Sequence, residues 1–202
     1  MNPPGAPPTG LRDLARSSVR DHLADQALRL FDERGFDATT IEDIAAAVGM
    51  SSRTFFRYFA TKEDVVIGDP GPFGEVVRDA AAARPEAETT WVMLRHAFDP
   101  VADSAVVANE SGLRKMRVMM GTASLRARSV EKHNVWAVLL EPVVIARLHG
   151  SEETKSYRAR TLIQAAIACL DVALVEWTLR GGSVSLATLL DEAFTIVASN
   201  SL

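Results

Sequence analysis

Apolar residues recur at helical spacing through almost the whole chain between residues 11 and 199. The first periodic segment keeps Val19, Leu23, Ala27, Leu30 and Phe31 on one face, with Ser17 and Ser18 placed to cap it. It stops at Arg34-Gly35, a cation in the last turn followed by a glycine. Thr39-x-x-Glu42 then has the form of a capping box, and Ile41, Ile44, Ala45 and Val48 follow at i, i+3, i+4 and i+7 before Gly49. Ser51 opens a second short helix over residues 51–59, with Phe55 and Phe59 one turn apart on its inner side. Thr61 opens another, with Glu63 and Asp64 in its first turn, where the helix dipole favours anions.

Farther along, the run Gly68-Asp69-Pro70-Gly71-Pro72 is expected to break that last helix, because proline lacks a ladder donor and disfavours helix in the residue before it. Helix resumes over residues 74–84 and closes at Arg84-Pro85. Longer helices are expected over residues 89–104, 110–122, 124–148, 153–180 and 185–199. Pro142 predicts a kink that either shapes a cavity or merely bends the packing. The last two segments carry apolar stripes, Leu162, Ala166, Cys169, Leu170, Ala173 and Trp177 on one and Leu186, Leu189, Leu190, Ala193, Phe194 and Val197 on the other. Gly181-Gly182 between them suits an antiparallel pair. No alternating β-branched run competes, so the expected fold is all-α: a tail over residues 1–10, an N-terminal three-helix module over 11–66 and a larger helical body over 67–202.

Composition changes this picture little. The chain is 48% hydrophobic and 24% charged, too apolar for disorder, and no run of eighteen uninterrupted apolar residues marks a membrane span. The proline-rich start, MNPPGAPPTG, has no apolar core and reads as a flexible tail, so a cytoplasmic protein without a membrane partner is expected. The single cysteine, Cys169, excludes an internal disulfide and reads as a small core residue. Histidines His22, His96, His133 and His149 are scattered without metal-ligand spacing, and no phosphate loop or nucleophile motif is present, so neither an enzyme nor a metal or other cofactor is expected.

Charge matters more locally. The formal net charge of −4 argues against a nucleic-acid partner, but binding depends on the field of one face. Two short helices joined by Val48-Gly49-Met50-Ser51 match a helix-turn-helix, whose second helix enters the major groove of DNA. From Ser51 to Lys62 the charged residues are Arg53, Arg57 and Lys62, all basic. The segment that must approach phosphates is therefore cationic within an acidic chain. That favours DNA over the alternative, a helical adaptor that binds protein.

The run Phe31-Asp32-Glu33-Arg34-Gly35-Phe36-Asp37-Ala38-Thr39-Thr40-Ile41-Glu42-Asp43-Ile44-Ala45, then Val48-Gly49-Met50-Ser51, Thr54-Phe55-Phe56-Arg57-Tyr58-Phe59 and Lys62-Glu63-Asp64, resembles the signature of the TetR (tetracycline-repressor-like) family, and of its actinobacterial members in particular. The resemblance implies a homodimeric transcriptional repressor that binds a double-stranded DNA operator and a small-molecule effector; an activator with the same DNA-binding domain is the variant reading. By position, Thr39 and Thr40 fall at a phosphate-contacting helix start. Ser51, Ser52, Arg53 and Thr54 fall at the start of the recognition helix, Arg53 being placed for a bidentate contact to guanine. Tyr58 and Lys62 match phosphate-contacting positions. Phe56 stands where many relatives have tyrosine, which leaves it apolar contact with a thymine methyl. Arg57 either points to solvent or pairs with an acid of its own domain.

The body, residues 67–202, is then the ligand-binding and dimerisation domain. Its last two helices either pair with those of a second copy as a four-helix bundle or finish the monomer's own core. Its middle helices offer large apolar groups with a few polar ones for an apolar or amphipathic ligand: Trp91, His96, Met116, Met119, Met120, His133, Trp136 and Trp177. Movement of the broken linker around Asp69 to Pro72 is the expected coupling between ligand and operator.

Overall fold

The computed structural model describes residues 10–199, so the expected tail, apart from Gly10, lies outside it. Helices follow one another as α1 (Leu11–Arg34), α2 (Ile41–Ala47), α3 (Ser52–Phe55), α4 (Glu63–Ile67), α5 (Pro70–Ala82), α6 (Thr90–Ala97), α7 (Asp99–Gly121), α8 (Ala123–Ala146), α9 (Glu152–Leu179) and α10 (Leu186–Ser199), with no strand among the described residues. The chain divides into two compact units, Met1–Val66 and Ile67–Leu202.

Where helix starts were misplaced, the reason is local chemistry. The box closes one residue later than expected. Thr40, not Thr39, is the N-cap of α2; its hydroxyl accepts from the Asp43 N–H, and the Asp43 carboxylate accepts from the Thr40 N–H at 2.9 Å. Residues 69–72 end one helix as expected but also start the next, four residues before Gly74. Asp69 accepts from the Gly71 N–H at 3.0 Å, and Pro70 occupies the first turn of α5, where a missing donor costs nothing. The same signal recurs at Asp99-Pro100. It splits the expected 89–104 helix after Ala97, and α7 then runs unbroken through residues 105–109, where a gap had been expected. α8 carries Pro142 without ending there.

In the second unit α9 is the central helix. It packs against α6, α7, α8 and α10, and α5 lies along α8. By length and composition α9 could cross a membrane. One face is instead committed to a protein core: Ile163, Ala166, Ile167, Leu170 and Ala173 are buried with Leu140 and Val144 of α8 and Leu186 and Leu190 of α10. Cys169 is buried there too, and burial pushes its thiol above the ordinary range.

One buried cation ties three helices together. The Arg95 guanidinium of α6 donates to Asp191 of α10 at 2.6 Å, to Asp99 of α7 at 2.7 Å and to the Ala187 carbonyl at 3.1 Å. A charge taken from water is tolerable only when its donors are satisfied in this way.

The α5–α8 contact is close at Gly74. A Cβ on Gly74 would meet Trp136 Cδ1 at 2.6 Å and Leu139 Cδ1 at 2.8 Å. The Leu139 methyl can turn away. The indole cannot, because its Nε1 donates to the Pro70 carbonyl at 3.0 Å and its ring stacks on Phe73. Gly74→Ala is therefore expected to cost about 1–3 kcal/mol by overpacking. Chemical denaturation checks it: an unchanged midpoint would show that the ring yields.

Candidate nucleic-acid interface and effector cavity

The helix-turn-helix is fastened from inside by aromatic rings. Phe55 and Phe59 are buried with ring centroids 5.6 Å apart, over a core that includes Leu23, Ala27, Phe31, Ile44 and Ala45. The turn closes when the Met50 N–H reaches back to the Ala45 carbonyl at 2.9 Å; Gly49 supplies the positive φ of 68° that this reversal needs. Ser51 caps α3 by accepting from the Thr54 N–H. The α-helix proper is a single turn, shorter than the expected 51–59, and backbone bonds from Tyr58 and Phe59 to the Phe55 carbonyl continue it as turns.

With the two rings inside, the outer side is set. Arg53, Phe56 and Arg57 are exposed, while Ser52, Thr54 and Tyr58 are half-buried. Neither Arg53 nor Arg57 pairs with an acid among the described residues, so both guanidiniums face outward. The Ser52 hydroxyl lies 3.5 Å from Glu42, and those of Ser51 and Thr54 meet at 3.0 Å.

Three expected phosphate contacts have other partners. Thr39 is fully buried, and its hydroxyl donates to the Gly35 carbonyl at 2.8 Å, so it locks the end of α1 to the start of α2 instead of facing DNA. The Thr40 hydroxyl is exposed but donates to Asp43 at 2.6 Å; that bond, with the Thr40 N–H, holds the Asp43 carboxyl below its usual range. The start of α2 thus already holds an anion. Lys62 donates to the Phe36 carbonyl at 2.7 Å and to the Thr39 carbonyl at 3.0 Å, with the Phe36 ring 4.3 Å from its ammonium. Its charge staples α4 to the α1–α2 loop.

Two cations escaped notice. Arg16 and Arg20, one turn apart on α1, lie beside this segment; Arg16 donates to the Arg57 carbonyl at 3.2 Å, and Arg20 stands 5.0 Å over the Phe59 ring. Their i, i+4 spacing was visible, but nothing in it showed which helix they would border.

In the second unit, a cavity of about 210 Å³ lies between α7, α8 and α9, with Met116, Met119, Met120, Ser129, His133 and Leu174 in its wall. The His133 Nδ1 is 3.2 Å from Asp171. The structure thus assembles four of the expected pocket residues and sends the other four elsewhere. Trp91 donates to the Phe194 carbonyl at 3.1 Å and packs on that ring. His96 pairs with Asp99 at 2.9 Å. Trp136 fastens α5, and Trp177 is buried core beside Gly182. Trp91 and Trp136 were drawn into helix contacts because a large ring with one N–H is best placed where both can be satisfied.

Both units have relatives. Residues 23–67 match the tetR family of bacterial regulatory proteins, and residues 88–201 match the MftR C-terminal domain. The chain is 31% identical over 177 residues to the HTH-type transcriptional regulator TcmR of Streptomyces glaucescens, spanning 85% of this chain and 78% of that one. It is 28% identical over 187 residues, 91% of each chain, to the putative mycofactocin biosynthesis transcriptional regulator MftR of Mycobacterium tuberculosis. Its fold is that of Thermus thermophilus FadR, a TetR-family repressor crystallised with lauroyl-CoA, at 22% identity, 91% and 95% coverage and a TM-score of 0.54. With a recognition segment held outward by its rings and family matches in both units, the chain belongs to the TetR family and is a DNA-binding transcriptional regulator, not an enzyme.

Proposed function

We propose that this regulator is a cytoplasmic homodimeric repressor that leaves its operator when an amphipathic effector enters the body of the second unit. The observation that carries the DNA side is the recognition segment: Phe55 and Phe59 inside, and Arg53, Phe56 and Arg57 outside with no acid holding either guanidinium. Arg53 reads a guanine, Phe56 meets a thymine methyl, and Arg57, Tyr58, Arg16 and Arg20 supply phosphate contacts around them. Repression is also the role named for FadR, whose crystallised ligand joins an apolar chain to an anionic head.

One such module makes too few contacts for useful specificity, so a dimer on half-sites about 34–36 Å apart is required. The α9–α10 hairpin supplies the surface. Its inner side is core, while Val172, Leu179 and Ile196 on its other sides are 64%, 70% and 53% exposed. Two such hairpins make a four-helix bundle.

The effector signal has a short path. His133 of the cavity wall packs against Trp136 at 5.3 Å, and Trp136 holds α5, the helix that begins three residues after α4 ends. An effector that displaces His133 moves the indole and with it the start of α5.

Arg53→Ala is expected to weaken operator binding by about 1–3 kcal/mol and relax specificity at one base pair while leaving the thermal midpoint unchanged. Gel shift on a selected operator measures it; parent-like affinity would move the reading helix elsewhere. Lys62→Met should behave oppositely, destabilising the fold by roughly 1–2 kcal/mol through two lost charge-assisted bonds. Val172→Glu should turn a dimer into a monomer in sedimentation and abolish tight operator binding. A parent that sediments as a monomer would sink the dimer.

A further inference from the structure

The effector cavity is open on one side. Val130 of α8 and Val175 of α9 stand in its wall, yet they are 60% and 38% exposed, and Arg126 and Asp171, also in the wall, are exposed as well. An apolar chain lodged there would leave part of its surface in water, and burial of that surface is what holds such a ligand.

Val175 also belongs to a second feature. Along the side of α9 that faces away from its core, Tyr157, Thr161, Ala168, Val172, Val175 and Leu179 follow one another, with Gln164 among them, at steps of three and four residues. All are exposed and none is charged. That is the spacing of a helix packed along another helix. The flanking charges say which helix. Arg158 and Arg160 border the first half of the stripe, Asp171 and Glu176 the second. Against a second copy of α9 running the opposite way, each basic half meets an acidic one, whereas a parallel copy sets like charges together. The reversal is centred near residues 165–168, where the small side chains of Ala165 and Ala168 let two helix axes come close. Tyr157 and Val175 lie on opposite sides of that centre at nearly equal distances, about 13–14 Å each along the helix. They therefore meet across the seam.

We propose that a second copy of this chain closes the effector cavity, with the partner subunit's Tyr157 lying over the mouth between Val130 and Val175. The ring is 68% exposed in the single chain; over the mouth its body is buried and its hydroxyl reaches the wet edge of the seam. This rests on the cavity being the effector site and deepens it: two chains build the site, so occupancy and subunit contact are coupled. The competing account gives the seam to α10 alone and leaves the α9 stripe in water. It predicts an open mouth in the dimer.

The test needs no ligand. Tyr157→Cys/Val175→Cys, oxidised with diamide, should run as a covalent dimer on a non-reducing gel. Neither single variant should, because each position lies twice as far from its own copy as from the centre, and the parent, whose Cys169 is buried, is the blank. In the dimer the thiol of Val130→Cys should react with fluorescein maleimide about tenfold more slowly than that of Val107→Cys, an exposed position of α7 outside the cavity wall. Adding Tyr157→Ala should restore the rate while sedimentation still shows a dimer. Arg126→Cys, also in the cavity wall, replaces Val130→Cys should that variant not fold. A dimer with no cross-link between positions 157 and 175, or with a Val130→Cys thiol as reactive as the control, overturns the cover. A parent that sediments as a monomer overturns it with the dimer. The effector reading fails differently: lauroyl-CoA that releases the operator from the parent, yet leaves labelling of Val130→Cys unchanged in the Val172→Glu background, binds elsewhere, and the cover stands without it.

Discussion

A single indole holds the second unit in register. Trp136 donates to the Pro70 carbonyl, stacks on Phe73, fills the space left by the missing side chain of Gly74, and offers its ring to Lys132 and His133. The first three contacts fix α5 on α8, and His133 lines the cavity between α7, α8 and α9. Because the ring is 1% exposed and has no slack against Gly74, a change on one side is passed to the other as a displacement. α5 in turn is the helix that begins three residues after α4 ends.

The first unit obeys a different constraint. Two of its helices are very short, seven residues for α2 and four for α3, so propensity alone cannot hold them. Buried rings do so from within, and polar staples do so at the loops: Thr39 on the Gly35 carbonyl and Lys62 on the carbonyls of Phe36 and Thr39. This explains why residues at positions that suggest DNA contact serve the fold. A small module has few side chains to spare, and those nearest a helix junction are taken by its unpaired backbone groups. The outward ones, Arg53 and Phe56, stay exposed.

Much of this was legible in the sequence, for physical reasons that differ by residue. The ring pair Phe55 and Phe59, the cap Ser51 and the turn at Gly49 follow from spacing and φ preference, which are local. Thr39 and Thr40 were confused because both can cap; only the burial of one chooses between them. Asp69-Pro70 was read only as an interruption and Asp99-Pro100 was passed over inside one helix, although an acid followed by proline also marks a helix start. Of the cavity, the methionine cluster and His133 were visible as a run of side chains on facing helices. The fates of Trp91 and Trp136 were not, since each depends on a carbonyl and a ring brought in from far along the chain.

Buried charge gives the sharpest contrast in the molecule. Arg95, Lys115 and Lys132 all sit within the helical body, and composition treats them alike. Arg95 is met by Asp99 and Asp191 from two other helices, so its burial rigidifies the junction of α6, α7 and α10. Lys115 and Lys132 are half-buried without a carboxylate or carbonyl partner among the described residues, and the Lys132 ammonium lies 4.6 Å over the Trp136 ring instead. A charge kept from water without a counter-charge costs the fold stability, whereas the same charge met by two carboxylates fastens helices together. The physical difference between the three cations is therefore set by which acids the other helices bring to them, and that is decided by packing far along the chain.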